Sequence, residues 1–266
     1  MRVLIKPDYD SCAKWIAEYI VYKIQQFRPT QNKPFVLGLP TGSSPLGIYQ
    51  ELINQNRAGK ISFQNIVTFN MDEYVGLPPE HPQSYSRFMW ENFFNFIDIK
   101  KENVHMLDGM TTDYVSECKR YEEAIKNVGG VNLFLCGIGT DGHIAFNEPA
   151  SSFASRTRIK LLKPETITAN SRFFGGDTTQ VPEKALTVGI GTIMEAEEII
   201  LIASGKNKQE AIRQTIECGI NHLCPASILQ MHERAIVVCD DCAADKLRPD
   251  TIKYFKNIEQ SKMVRK

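Results

Sequence analysis

The sequence predicts an α/β fold in which a doubly wound, mostly parallel sheet has helices on both faces. Short apolar runs rich in β-branched residues alternate with longer amphipathic segments along the chain. The runs show little alternation of polar and apolar residues, which is typical of strands covered on both faces. Strands that alternate with helices require right-handed crossovers, and these produce a Rossmann-like sheet.

Several of these runs are predicted as strands. They are Phe35–Leu39, Ile66–Phe69, Val131–Cys136, Leu186–Ile190, Ile199–Ala203 and Ala235–Cys239. Helices are predicted where apolar residues recur at helical spacing, as Ile16, Ile20 and Ile24 do. They are Ser11–Phe27, Ser84–Phe96, Tyr114–Lys126 and Lys208–Ile216.

The sequence indicates one domain that spans residues 1–266. Neither an internal repeat nor a linker rich in Pro, Gly or Ser divides it. The irregular stretch from about Asn147 to Pro182 is longer than ordinary connections. We expect it to form a lid or an edge hairpin rather than a second domain.

Composition is typical of a globular protein of a reducing compartment. Hydrophobic residues make up 42% of the chain, and 31 basic residues balance 31 acidic ones. This balance gives no electrostatic reason to expect a nucleic acid or a membrane surface as partner. With no signal peptide or membrane span in view, we expect a cytoplasmic protein. The cysteines lack a metal-ligand spacing, and we interpret the pair Cys239 and Cys242 as coincidence.

A turn of small residues follows the first of the predicted strands. Thr41, Gly42, Ser43 and Ser44 precede Pro45, which suits the first turn of a helix. Free N–H groups at a helix N-terminus, together with three hydroxyl groups, would form a cradle for a phosphate. The alternative is an ordinary strand-to-helix turn with a serine cap. Because neither nucleotide-binding glycine pattern is present, the turn does not indicate a nucleotide.

Two adjacent acids, Asp72 and Glu73, follow the second predicted strand. Successive side chains at a strand end point in different directions, so we expect at most one of them to face a cleft. Ligands of doubly wound sheets bind beyond the carboxyl ends of the strands, and this position favours a functional acid. The alternative is a solvated acidic turn.

The strongest local pattern is the glycine-rich segment from Gly137 to Pro149. Its three glycines allow a tight backbone path, and it contains Asp141, His143 and Glu148. A histidine flanked by carboxylates can be oriented for proton transfer near neutral pH. A structural histidine and a metal site are the alternatives, and one histidine is a small ligand set for zinc.

Arg172 and Lys208 supply local positive charge in a chain whose net charge is zero. A guanidinium offers a fork for phosphate oxygens, and an ammonium offers a point charge. The alternative for each residue is an ordinary solvated surface charge.

Together these motifs resemble those of the glucosamine-6-phosphate deaminase family. The resembling segments are Leu39–Gly42 (LPTG), Phe69–Tyr74 (FNMDEY), Gly139–Pro149 (GTDGHIAFNEP), Ser155–Arg158 (SRTR) and Ala169–Phe174 (ANSRFF). The resemblance runs from about Lys33 to Tyr254. It implies an enzyme of amino-sugar catabolism that converts glucosamine 6-phosphate to fructose 6-phosphate and ammonia without a metal or an organic cofactor.

The resemblance also implies roles for individual residues. Asp72 matches the base that moves a proton between C2 and C1 of the sugar. His143 matches the residue that opens the sugar ring, with Asp141 and Glu148 as its partners. The residues that match the substrate-phosphate site are Thr41, Gly42, Ser43, Ser44, Arg172 and Lys208.

Some members of the family are hexamers that N-acetylglucosamine 6-phosphate activates by binding between subunits. Ser151, Arg158, Lys160 and Tyr254 match that effector site. Leu161 departs from it, because a threonine is usual there in the regulated bacterial form, and the departure removes a hydroxyl near the charged effector. The alternative for the two basic residues is an alternating basic face of a strand.

Two other classes of protein stay open. A sugar-phosphate hydrolase similar to 6-phosphogluconolactonase would resemble this fold but would need no base at a carbon acid. A non-catalytic sugar-phosphate sensor would keep the phosphate-binding turn and lose the acid–base residues. Asp72, Asp141, His143 and Glu148 are all present, which favours an enzyme.

Overall fold

The computed structural model describes residues 1–263 and contains two sheets. The predicted domain ends at residue 266, so its last three residues lie outside the described part. The strands are β1 (Arg2–Lys6), β2 (Phe35–Leu39), β3 (Ile66–Asn70), β4 (Asp72–Tyr74), β5 (Val104–His105), β6 (Leu133–Cys136), β7 (Arg158–Leu161), β8 (Lys184–Thr187), β9 (Glu198–Ala203) and β10 (Ala235–Asp240). The α-helices are α1 (Tyr9–Phe27), α2 (Leu46–Arg57), α3 (Tyr85–Asn92), α4 (Tyr114–Asn127), α5 (Pro164–Asn170), α6 (Ile190–Met194), α7 (Gln209–Glu217), α8 (Asp241–Ala244) and α9 (Pro249–Met263).

The larger sheet has seven parallel strands in the order β1-β10-β9-β6-β2-β3-β5. Apolar clusters cover both of its faces, one with α1, α2 and α3 and the other with α4, α6, α7 and α8. Side chains alternate between them, so Val36 belongs to one cluster and Leu37 to the other. The predicted fold class is confirmed. Among the helices described in residues 1–263, none combines the length and the apolarity that crossing a membrane requires.

One of the predicted strands lies in a different sheet, so its assignment to the parallel sheet is wrong. The run Leu186–Ile190 overlaps β8, which belongs to a three-stranded antiparallel sheet of order β4-β8-β7. Leu186 packs in the main core, whereas Ala185 packs in a small third cluster on the opposite face. Because both faces of β8 are covered, its sequence has the apolar pattern of a strand in the main sheet.

The stretch between residues 147 and 182 contains more regular structure than the sequence indicates. β7 forms an edge of the small sheet, and α5 follows it. Leu162 and Phe174 from this stretch pack against Tyr74 of β4 and Phe146. The stretch is therefore anchored beside β4, and its action as a lid stays a prediction.

Gly38, in the middle of β2, tests how tightly the main sheet is packed. A Cβ added there would overlap the ring of Phe134 on the neighbouring strand β6. We expect Gly38→Ala to lower the free energy of unfolding by about 1–3 kcal/mol, because overpacking forces a buried ring out of its position. Urea unfolding followed by circular dichroism measures this. Gly219→Ala, where an added Cβ meets open space, is the control, and equal midpoints for the two variants would contradict the prediction.

Candidate active site

The turn Thr41–Ser44 lies between the end of β2 and the start of α2. Gly42 has φ +86°, a left-handed conformation that favours glycine. The turn also lies beside the glycine-rich loop, because a Cβ built on Gly137 would be 4.0 Å from the Cβ of Ser44. Two segments that are distant in sequence therefore meet at the carboxyl end of β2.

Asp72 begins β4, directly after the chain leaves the main sheet. It pairs with Thr187 of β8, and only 6% of its surface is exposed. Burial raises the pKa of Asp72 to about 8, with the neighbouring charge of Glu73 as the second cause. A carboxyl group whose pKa lies near neutrality can take up and return a proton at physiological pH.

Glu73 turns to the other side of β4 and binds the start of α3. Its carboxylate accepts hydrogen bonds from the backbone N–H groups of Tyr74 at 2.8 Å, Tyr85 at 2.9 Å and Ser86 at 2.8 Å. Burial raises the pKa of Glu73 although these three bonds oppose the shift. Of the two adjacent acids, only Asp72 lines the nearby cavity, in agreement with the expectation that at most one would.

His143 and Asp141 are hydrogen bonded to each other in the glycine-rich loop. The distance from His143 Nδ1 to Asp141 Oδ1 is 2.7 Å, and the His143 backbone N–H donates to the same oxygen at 3.2 Å. Burial alone would raise the pKa of Asp141, but the hydrogen bonds and the charge of His143 lower it to about 2. Gly139 is required here because a Cβ would overlap the imidazole ring. An ionised carboxylate on Nδ1 orients the ring and leaves Nε2 for a ligand.

Glu148 is bonded to the stretch that contains α5 rather than to His143. Its carboxylate accepts a hydrogen bond from the Lys163 N–H at 3.1 Å and another from the Thr166 hydroxyl. The residue is buried and is not among those that line the cavity. Asp141 is thus hydrogen bonded to His143, whereas the carboxylate of Glu148 is hydrogen bonded at the start of α5. The predicted partnership of Glu148 with His143 stays a prediction.

Lys208 and Arg172 place two positive charges near the glycine-rich loop. Lys208 Nζ donates a hydrogen bond to the Ile138 carbonyl at 2.6 Å. Burial lowers the pKa of Lys208, and the charge of Arg172 lowers it further, whereas Asp141 acts in the opposite direction. The Arg172 guanidinium lies 4.6 Å from the ring centroid of Phe173. Because the two positive charges repel each other, an anion bound between them would be stabilised.

One cavity of about 720 Å³ brings most of the predicted residues together. The predicted residues that line it are Thr41, Gly42, Ser43, Ser44, Asp72, Asp141, His143, Arg172 and Lys208. Asp72 and His143 therefore face the same space as the turn Thr41–Ser44 and the two cations. The part that each residue takes in a reaction stays a prediction.

An aromatic wall of this cavity has no counterpart in the sequence analysis. Tyr74, Tyr85, Phe146 and Phe174 line the cavity, and Tyr74 has its ring centroid 4.9 Å from Tyr85 and 5.9 Å from Phe174. The side chain of Asn170 donates a hydrogen bond to the Tyr74 hydroxyl at 2.9 Å. Isolated aromatic residues in a sequence look like core residues, so no local signal could have grouped these. The aromatic residues come together only when the 147–182 stretch packs on β4.

The residues of the predicted effector site lie outside this cavity. Ser151 is buried, and its hydroxyl has no hydrogen-bond partner within residues 1–263. Arg158, Lys160 and Leu161 lie on β7, with Leu161 65% exposed, and Arg158 also lines a separate groove of about 950 Å³ beside α4. Tyr254 is exposed on α9, which packs against β1. Binding of an effector by these residues stays a prediction.

The cysteines of the chain all lie in the described part. All seven are free thiols. Cys239 is buried in β10 and Cys242 is exposed in α8. Across residues 1–263, no group of three or more His, Cys, Asp or Glu side chains is arranged to hold a metal ion.

The fold and the cavity define a class of protein: a doubly wound α/β enzyme with acid–base and cationic side chains at one edge of its sheet. Residues 7–238 match the family described as glucosamine-6-phosphate isomerases/6-phosphogluconolactonase. The chain belongs to this family.

Several similar proteins show which members of this family the chain resembles. A glucosamine-6-phosphate deaminase of Phocaeicola vulgatus is 57% identical over 263 residues, which is 99% of this chain and 100% of the relative. One of Treponema denticola is 57% identical over 98% of this chain and 96% of its own length. The solved structure of a monomeric glucosamine-6-phosphate deaminase has a TM-score of 0.88 at 39% identity and covers 92% of this chain and 100% of its own. A 6-phosphogluconolactonase of Trypanosoma cruzi shares the fold, with a TM-score of 0.71 at 18% identity over 92% of this chain and 96% of its own.

The raised pKa of Asp72 predicts how stability depends on pH. The pKa is ordinarily 3.8 and is about 8 in the fold, so unfolding between these values releases a proton, and the stability contributed by this group declines as pH rises through that window. Asp72→Asn has no such proton. We therefore compare the free energy of unfolding of Asp72→Asn with that of the wild type. The variant value minus the wild-type value should increase by at least about 1.4 kcal/mol, the equivalent of one pKa unit, when the pH is raised from 5 to 8.5.

Urea unfolding at the two pH values measures this difference. Glu233→Gln, which neutralises an exposed acid, is the matched control and should follow the wild type. A stability difference between Asp72→Asn and wild type that is the same at both pH values would contradict the prediction.

Proposed function

We propose that this chain catalyses the isomerisation and deamination of glucosamine 6-phosphate to fructose 6-phosphate and ammonia. The observation that supports it most directly is the shared cavity, where Asp72 and the His143–Asp141 pair face the same space as the turn Thr41–Ser44. Relatives that match nearly the whole chain at 57% identity are glucosamine-6-phosphate deaminases. The solved lactonase of the comparison is only 18% identical and supports the fold alone.

Ring opening is the first step, and His143 is suited to it. It requires removal of a proton from the C1 hydroxyl and delivery of a proton to the ring oxygen. The Asp141 carboxylate fixes Nδ1 of His143 at 2.7 Å, so the other ring nitrogen is presented in a defined orientation. An imidazole can carry out both proton transfers near neutral pH.

Proton transfer between carbons follows, with Asp72 as the base. Asp72 takes the proton from C2, and the same proton returns to C1. The C1 carbonyl oxygen gains a proton and the C2 amine loses one, which leaves a hydroxyl at C1 and an imine at C2. Water adds to this imine and ammonia departs, so glucosamine 6-phosphate and water become fructose 6-phosphate and ammonia. A carboxylate held on a strand is positioned for this transfer, and a pKa of about 8 brings its basicity closer to that of the carbon acid.

The phosphate of the substrate binds at the turn Thr41–Ser44 with Arg172 and Lys208. These groups supply backbone N–H groups, hydroxyls and two positive charges, which are the groups that recognise phosphate. Lys208 is held by the Ile138 carbonyl next to the glycine-rich loop. Binding energy from the phosphate, remote from the reacting carbons, then holds C1 and C2 beside Asp72.

Replacing Asp72 tests this assignment. We expect Asp72→Asn to reduce ammonia release from glucosamine 6-phosphate by about 10²–10⁴-fold, because an amide cannot act as the base. A coupled ammonia assay in the presence of a chelator measures turnover, and Glu233→Gln serves as control. Near wild-type turnover in a folded Asp72→Asn protein would show that another group is the base. If the wild type hydrolysed 6-phosphogluconolactone and released no ammonia from glucosamine 6-phosphate, the result would favour a lactonase activity.

The proposal extends to the regulation, the oligomeric state and the cellular location of the protein. We infer a homo-oligomer, a hexamer by resemblance, in which N-acetylglucosamine 6-phosphate binds at Ser151, Arg158 and Lys160 with Tyr254. Within residues 1–263 the buried hydroxyl of Ser151 has no hydrogen-bond partner, and this supports a ligand there. The monomeric deaminase among the relatives makes oligomeric state a property to be measured by light scattering. Free thiols at all seven described cysteines support a reducing, cytoplasmic location.

Leu161 provides a test of the effector site. Its side chain is 65% exposed on β7 and has no hydroxyl to offer a charged effector. We expect Leu161→Thr to lower the concentration of N-acetylglucosamine 6-phosphate needed for half-maximal activation by about fivefold, the effect of one added hydrogen bond. Initial rates of ammonia release against effector concentration measure this, with Leu161→Val as the β-branched control. Identical responses for Leu161→Thr and Leu161→Val would contradict it.

A further inference from the structure

Helix α2 starts without a side-chain cap of its own. Its N-cap residue is Pro45, which makes no side-chain hydrogen bond to the first turn. The first N–H groups of a helix have no partners within the helix and need acceptors from elsewhere. Helix α2 follows the segment Thr41–Ser44 directly. A group that binds the N–H groups at the start of α2 therefore also affects the geometry of Thr41–Ser44.

The acceptor is the hydroxyl of Tyr9, which comes from the start of a different helix, α1. The Gly47 N–H, in the first turn of α2, donates a hydrogen bond to Tyr9 Oη at 2.8 Å. The same hydroxyl donates to the Ser44 carbonyl at 3.1 Å and lies 3.4 Å from the Ser43 carbonyl. One hydroxyl therefore connects the end of the turn to the first turn of the helix behind it.

The packing around this hydroxyl leaves it little freedom. A Cβ on Gly47 would lie 2.9 Å from Tyr9 Oη and 3.0 Å from the Cβ of Ala13, so α1 and α2 approach closely at this glycine. Burial raises the pKa of Tyr9, although the bond from Gly47 opposes the shift. The phenol therefore stays protonated at neutral pH and can donate and accept at the same time.

These bonds orient the peptide groups of the turn. The peptide bonds of the described chain are all trans, so the Ser44 N–H points in the direction opposite to the Ser43 carbonyl. Ser44 is followed by Pro45, which has no N–H. The contact of Tyr9 Oη with the Ser43 carbonyl therefore fixes the direction of the Ser44 N–H, and an oriented backbone N–H is a group that binds an anion. Tyr9 itself lines the cavity at this end.

We propose that Tyr9 is a positioning residue for the substrate phosphate, acting through the Ser43 and Ser44 carbonyls that its hydroxyl holds. The inference rests on the proposed function, because it takes the turn Thr41–Ser44 as the phosphate site. The proton-transfer groups lie on other segments, so Tyr9 governs how tightly the phosphate is bound and not the chemical step.

Tyr9→Phe removes the hydroxyl and keeps the ring. We expect KM for glucosamine 6-phosphate to rise about five- to tenfold, as the loss of one or two hydrogen bonds implies. We expect kcat to change by less than about twofold, because the lost contacts stabilise the bound substrate and the transition state equally. The competitive inhibition constant of inorganic phosphate should rise by the same factor as KM. Tyr22→Phe, an exposed tyrosine on the same helix, is the matched control and should leave both constants unchanged.

A second variant keeps the test independent of the tyrosine ring. Gly47→Ala places a methyl group against the Tyr9 hydroxyl and should raise KM and the phosphate inhibition constant together. Thermal unfolding of each variant establishes that it is folded. Unchanged KM in folded Tyr9→Phe would overturn the proposal, as would a fall in kcat with no change in phosphate binding.

Binding measurements separate this inference from the proposed function. If the wild type released no ammonia, the proposed function would fail, but calorimetric titration with fructose 6-phosphate would still compare Tyr9→Phe with wild type. Weaker binding to Tyr9→Phe alone would support the role of Tyr9 in holding the phosphate. Equal affinity of wild type, Tyr9→Phe and Tyr22→Phe would refute it.

Discussion

The backbone hydrogen bonds of Met71 join the two sheets of the molecule, and the site depends on this junction. The Met71 N–H donates to the Leu39 carbonyl at the end of β2, and its carbonyl accepts from the Val188 N–H just after β8. The chain therefore leaves the parallel sheet at Asn70 and enters the antiparallel one at Asp72 with one residue between them. This crossing places Asp72 at the junction of the two sheets, where only 6% of its surface is exposed.

The electrostatics of the two neighbouring acids follow from that position. The Glu73 carboxylate receives three backbone N–H groups, two of them from the first turn of α3, so its burial is compensated in part. For Asp72, burial is the largest influence and the charge of Glu73 adds to it, so its pKa rises to about 8. A buried carboxyl that must ionise costs stability, and such costs are typical of sites where function requires an unfavourable arrangement.

The 147–182 stretch connects Arg172 to the surroundings of Asp72. It contains Arg172, and its Phe174 packs on Tyr74, two residues along β4 from Asp72. The bond from Asn170 to the Tyr74 hydroxyl adds a polar contact to the same surface. A movement of this stretch would thus displace Arg172 and the aromatic wall beside Asp72 together.

The sequence by itself determined the parts of the protein that depend on local pattern. The apolar run Phe35–Leu39 matches β2 to the residue, and the period of α1 was readable because covered strands and amphipathic helices leave their spacing in the chain. The motifs at strand ends also identified polar residues that line the cavity, among them Asp72 and His143. Only the tertiary structure decided that β8 belongs to the small sheet, that the Glu148 carboxylate bonds with Thr166, and that the Tyr9 hydroxyl bonds with a turn more than thirty residues away. These depend on contacts between distant segments, and a contact of that kind leaves no period or spacing in the sequence.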